Sequence, residues 1–195
     1  MAILQDSATG KTARVNQDNT LAAHSITISE AEHATDLGQS YNINTGIVTL
    51  TSAGVSGVLY FKNNEDINIH IDHIIILLGN TTGGVATDSC TIKVLANPTA
   101  GTVISDATAV DMVQNRNVGA SSTLEALVYK GAEAKTFTDG DEMVGSLLSS
   151  GTRAAFVLDI TVPKGKAIGV TIEPEDSNTS MKTMVALVCH IEPVL

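Results

Sequence analysis

Between Val55 and Asn80 the chain reads VSGVLYFKNNEDINIHIDHIIILLGN, and this segment constrains the fold more than any other. Ile67, Ile69 and Ile71 alternate with Asn68, His70 and Asp72, the two-residue period of a strand with one buried and one wet face. The cluster Asn63-Asn64-Glu65-Asp66 supplies turn chemistry between this run and the apolar run before it. Two β-strands joined by a short polar turn are expected.

The same punctuation recurs from Tyr41 onward, where β-branched and apolar runs are separated by clusters of Gly, Asn, Asp and Pro. Strands are predicted at 41–51, 55–62, 67–78, 88–96, 101–105, 123–130, 142–149, 153–162, 166–173 and 180–192. Phe156, Leu158, Ile160 and Val162 face one way and Val157, Asp159 and Thr161 the other. Each strand is expected to have one buried and one wet face, the pattern of a two-layer antiparallel sheet rather than a parallel one. The expected class is all-β: an antiparallel β-sandwich of jelly-roll or Greek-key type. Residues 106–122 read as a connection.

Ahead of the strands, Ser29 and Glu32 have the spacing of an N-cap and its third helical residue. One short helix is predicted from there to Leu37, ended by Gly38. Residues 1–24 are polar and lack a sustained apolar period, so they are expected to form an extended N-terminal arm. A chain of 195 residues suits one sandwich better than two cores, which gives a single domain over 25–195.

With 43% hydrophobic and 16% charged residues, the chain is too apolar to be mainly disordered. Aromatics amount to only 3%, with no Trp, so stacking platforms for bases or sugars are scarce. A formal net charge of −10 repels phosphate backbones and anionic headgroups. Lys11 with Arg14 and Lys164 with Lys166 fall short of a basic patch. Direct nucleic-acid binding is not expected. Nor is a membrane span, since no apolar run approaches the ~20 residues needed to cross a bilayer. The N-terminus has no apolar stretch behind a basic start, so the expectation is a protein made in a cytoplasm without a secretion signal. Asn80-Thr81-Thr82 and Asn178-Thr179-Ser180 match the glycosylation sequon but gain no weight without export. Cys90 and Cys189 both fall in apolar runs and are read as buried free thiols.

Patterns that carry chemistry are weak throughout. Gly10-Lys11-Thr12 resembles the end of a phosphate-binding loop, but Gln5 stands where the first glycine belongs. Gly54-Val55-Ser56-Gly57 lacks the register of a nucleophile elbow. His70 and Asp72 share a strand face while parity sends His73 to the other, and two ligands do not close a metal site. His24, His33 and His190 are isolated in sequence. The turn carboxylates Glu65-Asp66, Asp141-Glu142, Glu173 and Glu175 lack the spacing of a calcium loop. No catalytic residue, cofactor or metal site is assigned, and the chain is read as non-enzymatic.

Several stretches resemble a group of tailed-phage structural proteins, the head decoration or auxiliary capsid proteins. They are Asn44-Thr45-Gly46-Ile47-Val48-Thr49-Leu50-Thr51 and Gly57-Val58-Leu59-Tyr60-Phe61-Lys62-Asn63-Asn64-Glu65-Asp66. Further on come Ala96-Asn97-Pro98-Thr99 with Gly101-Thr102, Asn115-Arg116-Asn117 with Gly119 and Ser121-Ser122, Lys130-Gly131-Ala132-Glu133, and Asn178-Thr179-Ser180-Met181. The resemblance implies a virion location, a homotrimer, and the major capsid protein of the same virion as partner. It implies a β-sandwich on the outside of the shell that reinforces it. The alternative is a receptor- or glycan-binding module of a tail or fibre, for which Tyr41, Tyr60, Phe61 and Tyr129 are the available rings.

Overall fold

The strands pair as one long hairpin that has been rolled up. The computed structural model describes residues 3–5, 12–15, 21–22, 29–51, 54–79, 89–175 and 180–192. Its elements are β1 (Ile3–Gln5), β2 (Thr12–Val15), β3 (Leu21–Ala22), α1 (Glu30–Asp36), β4 (Ser40–Asn44), β5 (Val48–Leu50), β6 (Ser56–Asn63), β7 (Ile69–Leu78) and β8 (Ser89–Ala96). Then follow α2 (Thr102–Ser105), β9 (Thr108–Ala109), β10 (Met112–Asn115), β11 (Ala126–Lys130), β12 (Asp141–Ser149), β13 (Arg153–Val162), β14 (Ala167–Pro174) and β15 (Met181–Ile191). Innermost in the hairpin, β8 pairs with β12; around it lie β7 with β13, β6 with β14, and β4 with β15, all antiparallel. Rolling the hairpin brings β15 beside β7 and β14 beside β8. The result is two six-stranded sheets, one ordered β10-β4-β15-β7-β13 with β5 also on β15, the other β12-β8-β14-β6-β11-β9. Nested pairing that alternates between two sheets is a jelly roll, as expected from the sequence.

Ile69, Ile71, Ile74 and Ile76 of β7 and Val185 and Leu187 of β15 meet Val58, Phe61, Ile92, Val94, Val170 and Ile172 of the other sheet in one buried core. Aliphatic side chains fill it, because the chain has few rings to offer. Cys90 and Cys189 are buried and unbridged, as the sequence predicts. Burial pushes the Cys189 thiol far up from its ordinary value, with the Asp72 charge adding to the effect.

Asn63 fixes the turn between β6 and β7. Fully buried, its side-chain amide donates to the carbonyls of Ile67 and Val162, and its oxygen accepts from the Glu65 amide at 2.7 Å. The helix at 30–36 is also as expected: Ser29 Oγ accepts from the Glu32 amide, and Gly38 has φ 71°.

Several details depart from expectation, and residues 106–122, read as a connection, contain β9 and β10. The 101–105 segment forms α2 rather than a strand, because Gly101, at φ 131°, turns the chain sharply and sequence-local bonds take over. The run at 41–51 is split into β4 and β5 by Thr45 and Gly46. Both halves still pair with β15, and Thr45 Oγ1 accepts from the Val185 amide at the break. β6 and β14 are buried on both faces rather than one, because α2 and Phe137 cover the outer face there. A Cβ at Gly57 or Gly169 would lie within 3.0 Å of Phe137, so these glycines make room for the ring. Finally, residues 1–24 contain β1, β2 and β3, which pair only with one another in an antiparallel sheet among the described residues.

Candidate functional site

The antiparallel register of β15 against β7 sets His190 opposite His70, and β13 on the other flank sets Thr161 opposite His70. A row of polar side chains therefore crosses three strands on the outer face of the first sheet. The two imidazoles stack, with ring centroids 5.2 Å apart and planes 16° from parallel. Asp72 joins them through a β-bulge. Val188 opposes His73 while Cys189 opposes Ile71, so Asp72 is an extra residue in β7. It brings its carboxylate to His190 Nδ1, with contacts of 3.1 and 3.2 Å. The same bulge resets strand parity, so His73 follows onto the outer face, opposite Val157 and Val188, and not onto the inner face that simple alternation predicts.

Two glutamates complete the cluster. Glu192, just beyond β15, places Oε2 3.7 Å from His70 Nε2 and accepts from the Asn68 amide at 2.9 Å. Glu30, opening α1, places Oε1 3.9 Å from His190 Nε2. His70 Nδ1 lies 3.3 Å from Thr161 Oγ1. Both Nε2 atoms are buried and have no hydrogen-bond partner, and His190 as a whole is only 5% exposed. Ligand atoms of Glu30, His70 and Glu192 lie within 4.8 Å of one another. Local alternation places only His70 and Asp72 on a shared face; His190 and Glu192 join them through the pairing of β15 with β7, and Glu30 through the position of α1. One available signal was that His190 and Glu192 repeat, on β15, the two-residue spacing of His70 and Asp72 on β7.

Four of the six turn carboxylates named from the sequence have partners within the fold. Asp66 pairs with Lys164 and Glu142 with Lys93, while Glu65 accepts from the Glu125 amide and Glu175 from Ser89. The Lys164 contact holds the Asp66 carboxyl below its ordinary value. Ser56 Oγ is buried and accepts from the Ala134 amide. Among the rings considered for sugar stacking, Tyr41, Tyr60 and Phe61 are buried and Tyr129 stacks on Tyr60. The open cavity beside Tyr129, lined also by Lys62, Pro98 and Lys166, measures about 240 Å³, below the ~300 Å³ at which ligand pockets commonly begin. His24, Gly10 and Lys11, the whole of the first sequon, Asn178 and Thr179 of the second, and the 82–84 turn lie outside the described residues. None of the helices among the described residues is long and apolar enough to cross a membrane.

No family model matches the chain, and no curated protein does. Among solved structures, a mitogen derived from Yersinia pseudotuberculosis aligns over 74% of this chain and 83% of its own, at 12% identity and a TM-score of 0.37. The infectious bursal disease virus Gx strain structure aligns over 80% of this chain at 10% identity and a TM-score of 0.14, and the alignment spans 38% of that chain.

Proposed function

We propose that the protein is a non-enzymatic structural component of a phage virion, a decoration protein that binds the outer capsid shell as a homotrimer and reinforces it. The observation that carries the reading is the open side of the jelly roll. β12 and β13 are consecutive long strands, and each ends its sheet with one edge unpaired. Leu147 and Val157 point outward from them, 62% and 74% exposed, while Val144, Leu148, Phe156 and Leu158 on the inner rows are only partly covered. Long apolar edges invite pairing with another chain, and contiguous exposed apolar surface marks protein contact sites. The resemblance to decoration proteins over roughly residues 40–182 supplies the identity of the partner, the major capsid protein.

The tail or fibre receptor reading draws less support. Three of the four rings it relies on are buried, and the cavity beside the fourth is small.

Labelled virions viewed by electron microscopy test the location: density on the shell supports the proposal, and density at the tail tip replaces it. A chain lacking residues 1–22 is expected to keep a folded jelly roll while binding capsids poorly. Full capsid occupancy by that truncation removes the arm from the binding mechanism.

A further inference from the structure

The polar cluster on the outer face of the first sheet gathers three carboxylates around two imidazoles, with the Arg116 guanidinium one place along the row on Ser40 Oγ. Glu30, Asp72 and Glu192 form ion pairs only with His70 and His190 among the described residues; no lysine or arginine is paired with them. With His190 Nδ1 beside Asp72 at 3.2 Å, the buried Nε2 of the same ring faces the Glu30 carboxylate 3.9 Å away, beyond hydrogen-bond reach. His70 Nε2 likewise faces Glu192 at 3.7 Å. Each buried ring nitrogen thus faces a carboxylate oxygen with no hydrogen bond made, and a buried polar atom left without a partner is costly. A cation between them removes the conflict.

We infer that Glu30, His70 and Glu192 bind a divalent first-row transition ion of the Zn²⁺ class, with His190 Nε2 bordering the site from its buried side. A tetrahedral ion at about 2.0–2.2 Å from each donor holds donors roughly 3.3–3.6 Å apart. The 3.7 Å between His70 Nε2 and Glu192 Oε2 is within a few tenths of an ångström of that. One imidazole with two carboxylates favours such an ion over Mg²⁺ or Ca²⁺, which prefer all-oxygen sites. Three protein ligands leave a position open for water.

The surroundings are those of a supported site. Glu192 is held by Asn68, His70 Nδ1 by Thr161, and His190 by Asp72, so the donors are oriented by outer partners, as metal ligands commonly are. Glu30 and Glu192, about half exposed, form the rim; His70 is the deeper donor. The ion would tie the first turn of α1, the element directly after residues 1–28, to the paired strands β7 and β15. The inference is independent of where on a virion the protein sits.

The full chain, stripped with chelator, is titrated with Zn²⁺ and Co²⁺ by calorimetry, with Mg²⁺ and Ca²⁺ as comparisons. One saturable site is expected for Zn²⁺ and Co²⁺, with visible Co²⁺ absorption bands of a low-coordinate site and a raised unfolding temperature. His70→Ala and Glu192→Gln are each expected to weaken Zn²⁺ binding at least about tenfold, while His33→Ala leaves it unchanged. Glu192→Gln alters a rim residue and keeps the fold, which circular dichroism checks. Absence of saturable Zn²⁺ binding overturns the inference, as does wild-type affinity in the folded Glu192→Gln variant.

Discussion

Individual residues of this fold are used mainly to close turns, and Asp139 illustrates how. Its carboxylate accepts from the Thr99 hydroxyl, from the Thr99 amide at 2.8 Å and from the Ala100 amide at 3.0 Å. These bonds, the hydroxyl contact first, hold its carboxyl below the ordinary value. A carboxyl lowered in the folded state stabilises fully above its unfolded value near pH 4, and that contribution disappears as the pH falls through the lowered folded value. The stability gap between the wild type and Asp139→Ala is therefore expected to be constant from about pH 7 to pH 4. Below that it should close, as read by urea unfolding at each pH. A gap that widens on acidification would show that Asp139 is not held as an anion by these donors. The Asp72 bulge teaches the same lesson in reverse. One inserted residue moves His73 to the outer face and lets Asp72 reach His190, and nothing in local alternation announces it.

At the scale of elements, the strands were legible because their periods are local properties. The Ile69-to-Leu78 run, the Asn63 turn and the Ser29-capped helix each follow from neighbours in sequence. α2 was not legible: Thr102-Val103-Ile104 is β-branched and reads as strand, and only Gly101 and the packing of Val103 against Tyr60 and Ala167 make it helical. The two-faced burial of β6 was hidden for a related reason, since Phe137, which covers it, lies far along the chain. The site was half legible. His70 and Asp72 are neighbours, but His190 and Glu192 reach them only through the pairing of β15 with β7. The edge strands carry a prediction of their own. β13 is bulged between Val157 and Ile160, with Asp159 at φ 41°, and β12 between Glu142 and Val144. Such bulges hinder edge pairing at one end of each strand and leave residues 144–149 and 153–157 as the straight, available edge. Placing lysine at both Leu147 and Val157 is expected to abolish the proposed binding to capsid shells, read by co-sedimentation with shells lacking the protein. Unfolding free energy should change by less than about 0.5 kcal/mol per site, as for exposed positions. Full occupancy of the shells by the double variant places the contact elsewhere on the molecule.

For the whole molecule, the nested hairpin explains why residues 97–140 can be so long. Asp141 opposes Ala96 in register, so the ends of this insertion already sit at the normal spacing of an antiparallel pair, roughly 5 Å between Cα atoms. The insertion does not close the hairpin. It returns along the roll and adds β10 beside β4 and β11 beside β6, covering the edges that the first strands would otherwise expose, opposite the side left open by β12 and β13. Replacing 97–140 by a two-residue Asn-Gly turn matches the register of β8 and β12. The shortened chain is expected to retain its β-sheet circular dichroism and unfold cooperatively. Its stability should fall by on the order of 4 kcal/mol, because Phe61 and Tyr60 lose the cover of Val128, Val103 and Phe137. The uncovered edges of β4 and β6 should also make it associate at lower concentration than the parent in size-exclusion chromatography. A shortened chain that is unfolded at all temperatures would mean that β10 and β11 belong to the minimal sandwich, and that the roll does not stand on its eight nested strands alone.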